Sequence, residues 1–249
     1  LNSNPDLADV SAVRLLPGLQ GLYLQHCGIR KLPDLRGLRR LLVLDVSYNP
    51  LGPMGVARGA GVGGWARGDG LPDELAEMWW LRVLLAHGCG LTAIPPLGAG
   101  AVAMNLTHIS VGENALTTLP DSMQRLPKLT KVYLGFNNLG PGAADVLPAV
   151  ARNLTVSLDG NSRLRWLPSG WARSGGAGVE VLYAAGCGLE EPLFGPASPP
   201  AAGPLFPDLQ IGSFPYNPRL GAATLSRLSG RALTELSLGW LDDAGLEAF

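Results

Sequence analysis

Apolar positions along this chain recur in a fixed register that matches neither a simple helical period nor a lone strand. The register is L-x-x-L-x-L-x-x-N/C-x-L, first complete at Leu19-Leu22-Leu24-Cys27-Ile29. It returns at Leu41-Leu44-Val46-Asn49-Leu51, Leu81-Leu84-Ala86-Cys89-Leu91, Leu106-Ile109-Val111-Asn114-Leu116 and Leu129-Val132-Leu134-Asn137-Leu139. Looser copies follow at Val156-Leu158-Asn161-Leu164, Val179-Leu182-Ala184-Cys187-Leu189 and Leu233-Leu236-Leu238. One more reads as Leu209-Ile211, its first position at Phe206 and Asn217 displaced. A period of this length predicts one short structural unit per copy, each burying its apolar face only against its neighbours.

Within a copy, the L-x-L alternation predicts a short strand with aliphatic side chains inward and the intervening residues outward. The Asn or Cys position falls where the chain leaves the strand, and a side chain there can bond backbone groups that the bend would otherwise leave unpaired. Asn4, Cys27, Asn49, Cys89, Asn114, Asn137, Asn161 and Cys187 form this structural ladder. Leu-Pro pairs (Leu32-Pro33, Leu71-Pro72, Leu119-Pro120, Leu167-Pro168) then start return segments expected as turns, 3₁₀ pieces or brief helices. One step between copies is far longer than the rest, and the surplus is the Gly-rich stretch 52–70, read as a loop insertion.

This register resembles the leucine-rich repeat family over essentially the whole chain, and the Leu-Pro pairs resemble its typical and plant-type subclasses, with repeats of about 22–27 residues. The resemblance implies an α/β fold: a right-handed leucine-rich repeat solenoid, a horseshoe arc with a single parallel β-sheet on the concave face. Residues 1–249 are expected as one such domain. Leu1-Asn2-Ser3-Asn4 looks like the tail of a further copy, so the chain reads as a segment of a longer protein.

Composition narrows the functions. Leucine supplies 46 of the 249 residues, and 34 Gly with 21 Pro supply the turns that a repeat needs. Nineteen Lys and Arg against twenty Asp and Glu leave a net charge of -1, too little basic field for a phosphate backbone, so nucleic acid is not an expected partner. No window is apolar for long enough to span a bilayer, and membrane insertion by this segment is not expected. The three cysteines all fall on the ladder, which leaves none for nucleophilic or metal chemistry and favours an intracellular, reducing setting over a disulfide framework. His87 and His108 stand in adjacent copies but about 13 Å apart along the strand at ~3.3 Å per residue, so no shared metal ion is expected. Gly59-Ala60-Gly61-Val62-Gly63-Gly64 matches a dinucleotide-loop spacing, yet no βαβ unit surrounds it. No catalytic constellation and no cofactor site emerge.

The outward strand positions remain. Tyr23, His26, Tyr48, His87, His108, Glu113, Lys131, Tyr133, Phe136, Tyr183 and Trp240 are the candidate partner-binding residues, with Ser157, Asp159, Asp208 and Gln210 on the same face. Aromatic side chains provide large contact area at little entropic cost, as interfaces require. The expected function is therefore a non-catalytic scaffold or recognition module that binds a protein partner through the concave face, within a larger assembly or signalling context. Two alternatives stand beside it. One is an extracellular or cell-surface receptor-type module for a peptide or glycan, to which the sequons at Asn105 and Asn153 would belong. The other is a substrate-docking arm of a larger enzyme.

Overall fold

The computed structural model describes residues 1–7, 9–53, 70–97, 105–148, 152–198, 203–221, 224, 226–228 and 232–239. Trp240 and nearly all of the 52–70 insertion, including its glycine motif, lie outside the described residues. The chain divides into two compact units, Leu1–Leu129 and Thr130–Phe249.

The first unit carries four parallel strands in sequence order: β1 (Gly21–Tyr23), β2 (Val43–Asp45), β3 (Val83–Leu85) and β4 (His108–Ser110). Leu22, Leu44, Leu84 and Ile109 pair across them in one row. That row and the next, Leu24-Val46-Ala86-Val111, are buried throughout. The second unit carries five more parallel strands: β5 (Lys131–Tyr133), β6 (Leu154–Ser157), β7 (Val179–Tyr183), β8 (Ile211–Ser213) and β9 (Glu235–Ser237). Their inward row is Val132-Val156-Leu182-Gly212-Leu236. Each unit is thus a parallel-sheet solenoid in which one coil packs on the next, and three-residue strands persist because a coil's backbone pairs with the coil after it.

The return segments begin where proline dictates. Pro72 and Pro120, held at φ -71° and -72°, precede the 3₁₀ turns Asp73–Glu77 and Asp121–Arg125, and Pro168 precedes Ser169–Trp171. The leucine before each proline is buried, so one dipeptide both anchors the segment and launches its turn. In the second unit this side also holds an aromatic cluster: Trp171 meets Phe206 edge-on at 6.3 Å, and its indole N–H donates to the Pro148 carbonyl at 3.0 Å.

The eighth copy departs from its sequence register. Gly212, not Leu209, pairs with Leu182, so the copy starts at Leu209, and Asn217 sits at the regular ladder position. Phe206 belongs to the aromatic cluster instead. The reason is steric: a Cβ on Gly212 would lie 3.1 Å from the Phe214 ring and 2.9 Å from a Leu209 methyl. The pair Gly212-Phe214 therefore fills the room that two aliphatic residues fill elsewhere, and a pattern sought in leucines slides off it. Asp208 and Gln210 fall before β8, where Asp208 accepts the Gly178 N–H at 2.8 Å.

Candidate interaction surface

The ladder fixes where each strand ends. Asn49 is buried and makes five hydrogen bonds: its Oδ1 accepts the N–H groups of Cys27 and Ile29 at 3.0 Å each, and its Nδ2 donates to Leu24, Val46 and Ser47 carbonyls at 2.6, 2.8 and 3.2 Å. Asn114 does the same for Cys89 and Leu91, and Asn217 for Cys187 and Leu189. Asn161 accepts from Leu139 at 3.1 Å and donates back to Leu134 and Leu158. Asn137 donates to the Leu134 carbonyl at 2.9 Å, and Asn4 to that of Leu1 at 2.6 Å.

Cysteine performs only half of that work. The Cys89 thiol donates to the Val46 carbonyl at 3.2 Å and the Cys187 thiol to that of Leu158 at 3.2 Å, as an asparagine amide would, but neither offers an acceptor to the coil before it. Those preceding bends close on themselves: Leu51 N–H bonds the Asn49 carbonyl and Leu164 N–H bonds the Asn161 carbonyl. Burial pushes the Cys89 and Cys187 thiols up to about 12, so they stay protonated and unreactive.

Just before each ladder residue the backbone turns left-handed. His26, Tyr48, Glu113, Phe136 and Tyr216 have φ between 51° and 59°, and Gly88, Gly160 and Gly186 hold the same place in other copies at 61° to 71°. The conformation is enforced by pairing: the N–H groups of His26, Tyr48, Gly88, Phe136, Gly160 and Gly186 all bond carbonyls of the next coil. Glycine adopts it freely, whereas any other residue there carries a cost of about 1 kcal/mol or more. Phe136 and Tyr216 recover little of it by burial, being 56% and 67% exposed.

In the first unit the side chains at these ends meet. The His26 ring stacks on Tyr48 with centroids 4.5 Å apart, Tyr48 meets the His87 ring edge-on at 5.4 Å, and His87 Nε2 lies 3.5 Å from Glu113 Oε1. Gly88 makes the packing possible, since a Cβ there would stand 2.7 Å from the Tyr48 ring. Burial foremost, then the charges of Glu113 and Asp45, raises the Tyr48 phenol above its ordinary range. Beneath the array Asp45 is buried and takes hydrogen bonds from the Gln25 amide and the Ser47 N–H. Tyr23 is 47% exposed at the end of β1. His108 stands apart from the array at the start of β4, with Nδ1 2.7 Å from the Thr107 hydroxyl.

In the second unit Lys131 and Tyr133 flank inward Val132 on β5, and Tyr133, Ser157, Tyr183 and Ser213 share one outward row. Tyr216 is not among the sequence-derived candidates because a register starting at Phe206 lies three residues before the observed one at Leu209. The signal was present, since Asn217 follows Leu209 at the interval by which Asn137 follows Leu129. Among the described residues, no three His, Cys, Asp or Glu side chains converge as a metal site would, and no helix is long and apolar enough to cross a membrane.

No family model and no curated protein matches the chain. Among solved structures it is similar to the functional domain of InlJ from Listeria monocytogenes, described as including a cysteine ladder. The identity is 14% and the TM-score 0.32, over 94% of this chain and 61% of that one. The chain thus spans less than two thirds of that structure's length.

Proposed function

We propose that the chain is a leucine-rich repeat module of the typical or plant type that binds a protein partner through the outward, concave face of its strands and performs no chemistry itself. The observation that carries this reading is the set of bulky residues in left-handed conformations at the strand ends. Glycine occupies that position in three copies without strain, so Phe136 and Tyr216 sustain a backbone cost for rings that stay largely in solvent. Exposed aromatic side chains maintained against a stability cost are what a docking face would require.

The test is partner retrieval with the intact protein. Replacing Tyr133 by Ala together with Phe136 by Gly should lower recovery of a protein captured by the parent, while thermal stability stays the same or rises, because glycine relaxes the left-handed site. Undiminished recovery would place the interface elsewhere.

A further inference from the structure

We propose that the outward face of the second unit accepts a cationic side chain, a lysine or arginine presented by the protein partner, with Asp159 as its counter-charge and Tyr133, Phe136, Tyr183 and Tyr216 as its aromatic surround. The inference deepens the docking reading above and rests on it. It starts from the floor of the face. Along the strand ends Phe136 is followed, copy by copy, by Gly160, Gly186 and Tyr216. The Phe136 ring already covers Gly160, where a Cβ would lie 2.7 Å from it, but a Cβ on Gly186 would meet nothing within 4 Å. Two exposed rings therefore bracket a stretch with no side chains of its own.

Asp159 immediately precedes Gly160 in that stretch. Its Oδ1 accepts the N–H of Ala185, next to Gly186, at 2.7 Å, and its Oδ2 accepts the Ser157 hydroxyl at 3.2 Å. Ser157 in turn pairs in register with Tyr133 on one side and Tyr183 on the other, which sets the two tyrosines about 10 Å apart at ~4.8 Å per strand. The carboxylate is half-buried and has no ion-pair partner among the described residues; Lys131, on the same face, forms none with it. Burial raises the Asp159 pKa, against the two hydrogen bonds that lower it. The fold thus holds a partly desolvated carboxylate, without an ion-pair partner among the described residues, on the coil between those of Tyr133 and Tyr183.

Charge and rings select the occupant together. A guanidinium or ammonium group would compensate the carboxylate and lie against ring faces whose electrostatics favour cations. An anionic segment would be repelled, an apolar segment would desolvate Asp159 further with nothing in return, and a neutral glycan would hydrogen-bond the carboxylate but leave its charge uncompensated. Because ionised Asp159 is disfavoured by its surroundings, its neutral analogue should cost the fold nothing while removing the recognition.

Fluorescence anisotropy on the intact protein tests this with three labelled decapeptides, alternating glycine with lysine, arginine or glutamate, and with a neutral oligosaccharide as competitor. The expected result is saturable binding of a basic peptide, weakened about tenfold or more by Asp159→Asn and by Tyr183→Ala and untouched by the control Asp34→Asn on a return segment. The thermal midpoint of Asp159→Asn should be no lower than that of the parent. Equal affinity in Asp159→Asn, equal loss in Asp34→Asn, absence of saturable binding, or displacement by the neutral sugar would each overturn the proposal. Should the Tyr133/Phe136 double variant lose its partner while the peptides fail, the docking face stands and only its cation specificity falls. Unchanged partner recovery would sink the docking reading whichever peptide binds.

Discussion

Asparagine and cysteine share one position of the repeat, and the structure predicts that they are not interchangeable there. Asn49→Cys is the decisive substitution. A cysteine can still donate to the Leu24 carbonyl, as Cys89 does to that of Val46, but the buried N–H groups of Cys27 and Ile29 lose their shared acceptor at 3.0 Å. An unsatisfied buried donor costs about 1–3 kcal/mol, so two of them set the loss at about 2–6 kcal/mol. That is a large part of the ~5–15 kcal/mol that holds a typical domain together. Asn49→Ala should cost a similar amount, because the acceptor and not the donor decides the outcome. Urea unfolding followed by circular dichroism, with Trp79 and Trp80 fluorescence reporting from the same unit, measures both variants against the parent. A cysteine variant within about 1 kcal/mol of the parent would refute the acceptor argument.

Three further outcomes follow from the same geometry. Cys89 and Cys187, buried and pushed up to about 12, should resist a thiol reagent at mildly alkaline pH in the folded protein and react once guanidinium unfolds it; prompt reaction in native buffer would contradict their placement. Asp159 titrates higher folded than its ordinary 3.8, so between the two values the folded state holds the proton more tightly. Its contribution therefore lowers stability as pH rises through that window, and urea midpoints of Asp159→Asn should gain on the parent from acid toward neutral pH. Gly28→Ala should destabilise by about 2 kcal/mol or more, since its φ is +67° and the added Cβ would lie 2.2 Å from the Pro5 carbonyl oxygen. Gly18→Ala, with open space around it, should stay within about 0.5 kcal/mol in the same denaturation series.

Much of the fold could be read from the chain because its signal is redundant. Leu22, Leu44, Leu84 and Ile109 each announce an inward strand residue, and the structure pairs all four in one row. The eighth copy escaped because Gly212 and Phe214 conserve volume rather than residue type, which a pattern of aliphatic letters does not register. The candidate surface was legible in part: outward residues follow from alternation along a strand, and Tyr133 and Tyr183 were reachable that way. The left-handed turn at His26, Tyr48, Phe136 and Tyr216 was not, since these residue types carry no hint of positive φ. Nor was the meeting of His26, Tyr48, His87 and Glu113, which depends on ring orientations across coils. The order of Asn and Cys did hold a message. Each Cys copy precedes an Asn copy, as Cys27 does Asn49, Cys89 does Asn114 and Cys187 does Asn217.

That order constrains how such a chain can be shortened or lengthened. Excising the Asn49 copy alone would bring Cys89 directly after Cys27, stranding two amides that a thiol cannot serve. Removing the Asn49 and Cys89 copies together would instead bring Asn114 behind Cys27 and restore the carboxamide bridge. Around each cysteine a coil can be cut out or spliced in without orphaning an amide only where an asparagine coil still follows the cysteine, a grammar that any attempt to resize this solenoid by genetic editing would have to obey.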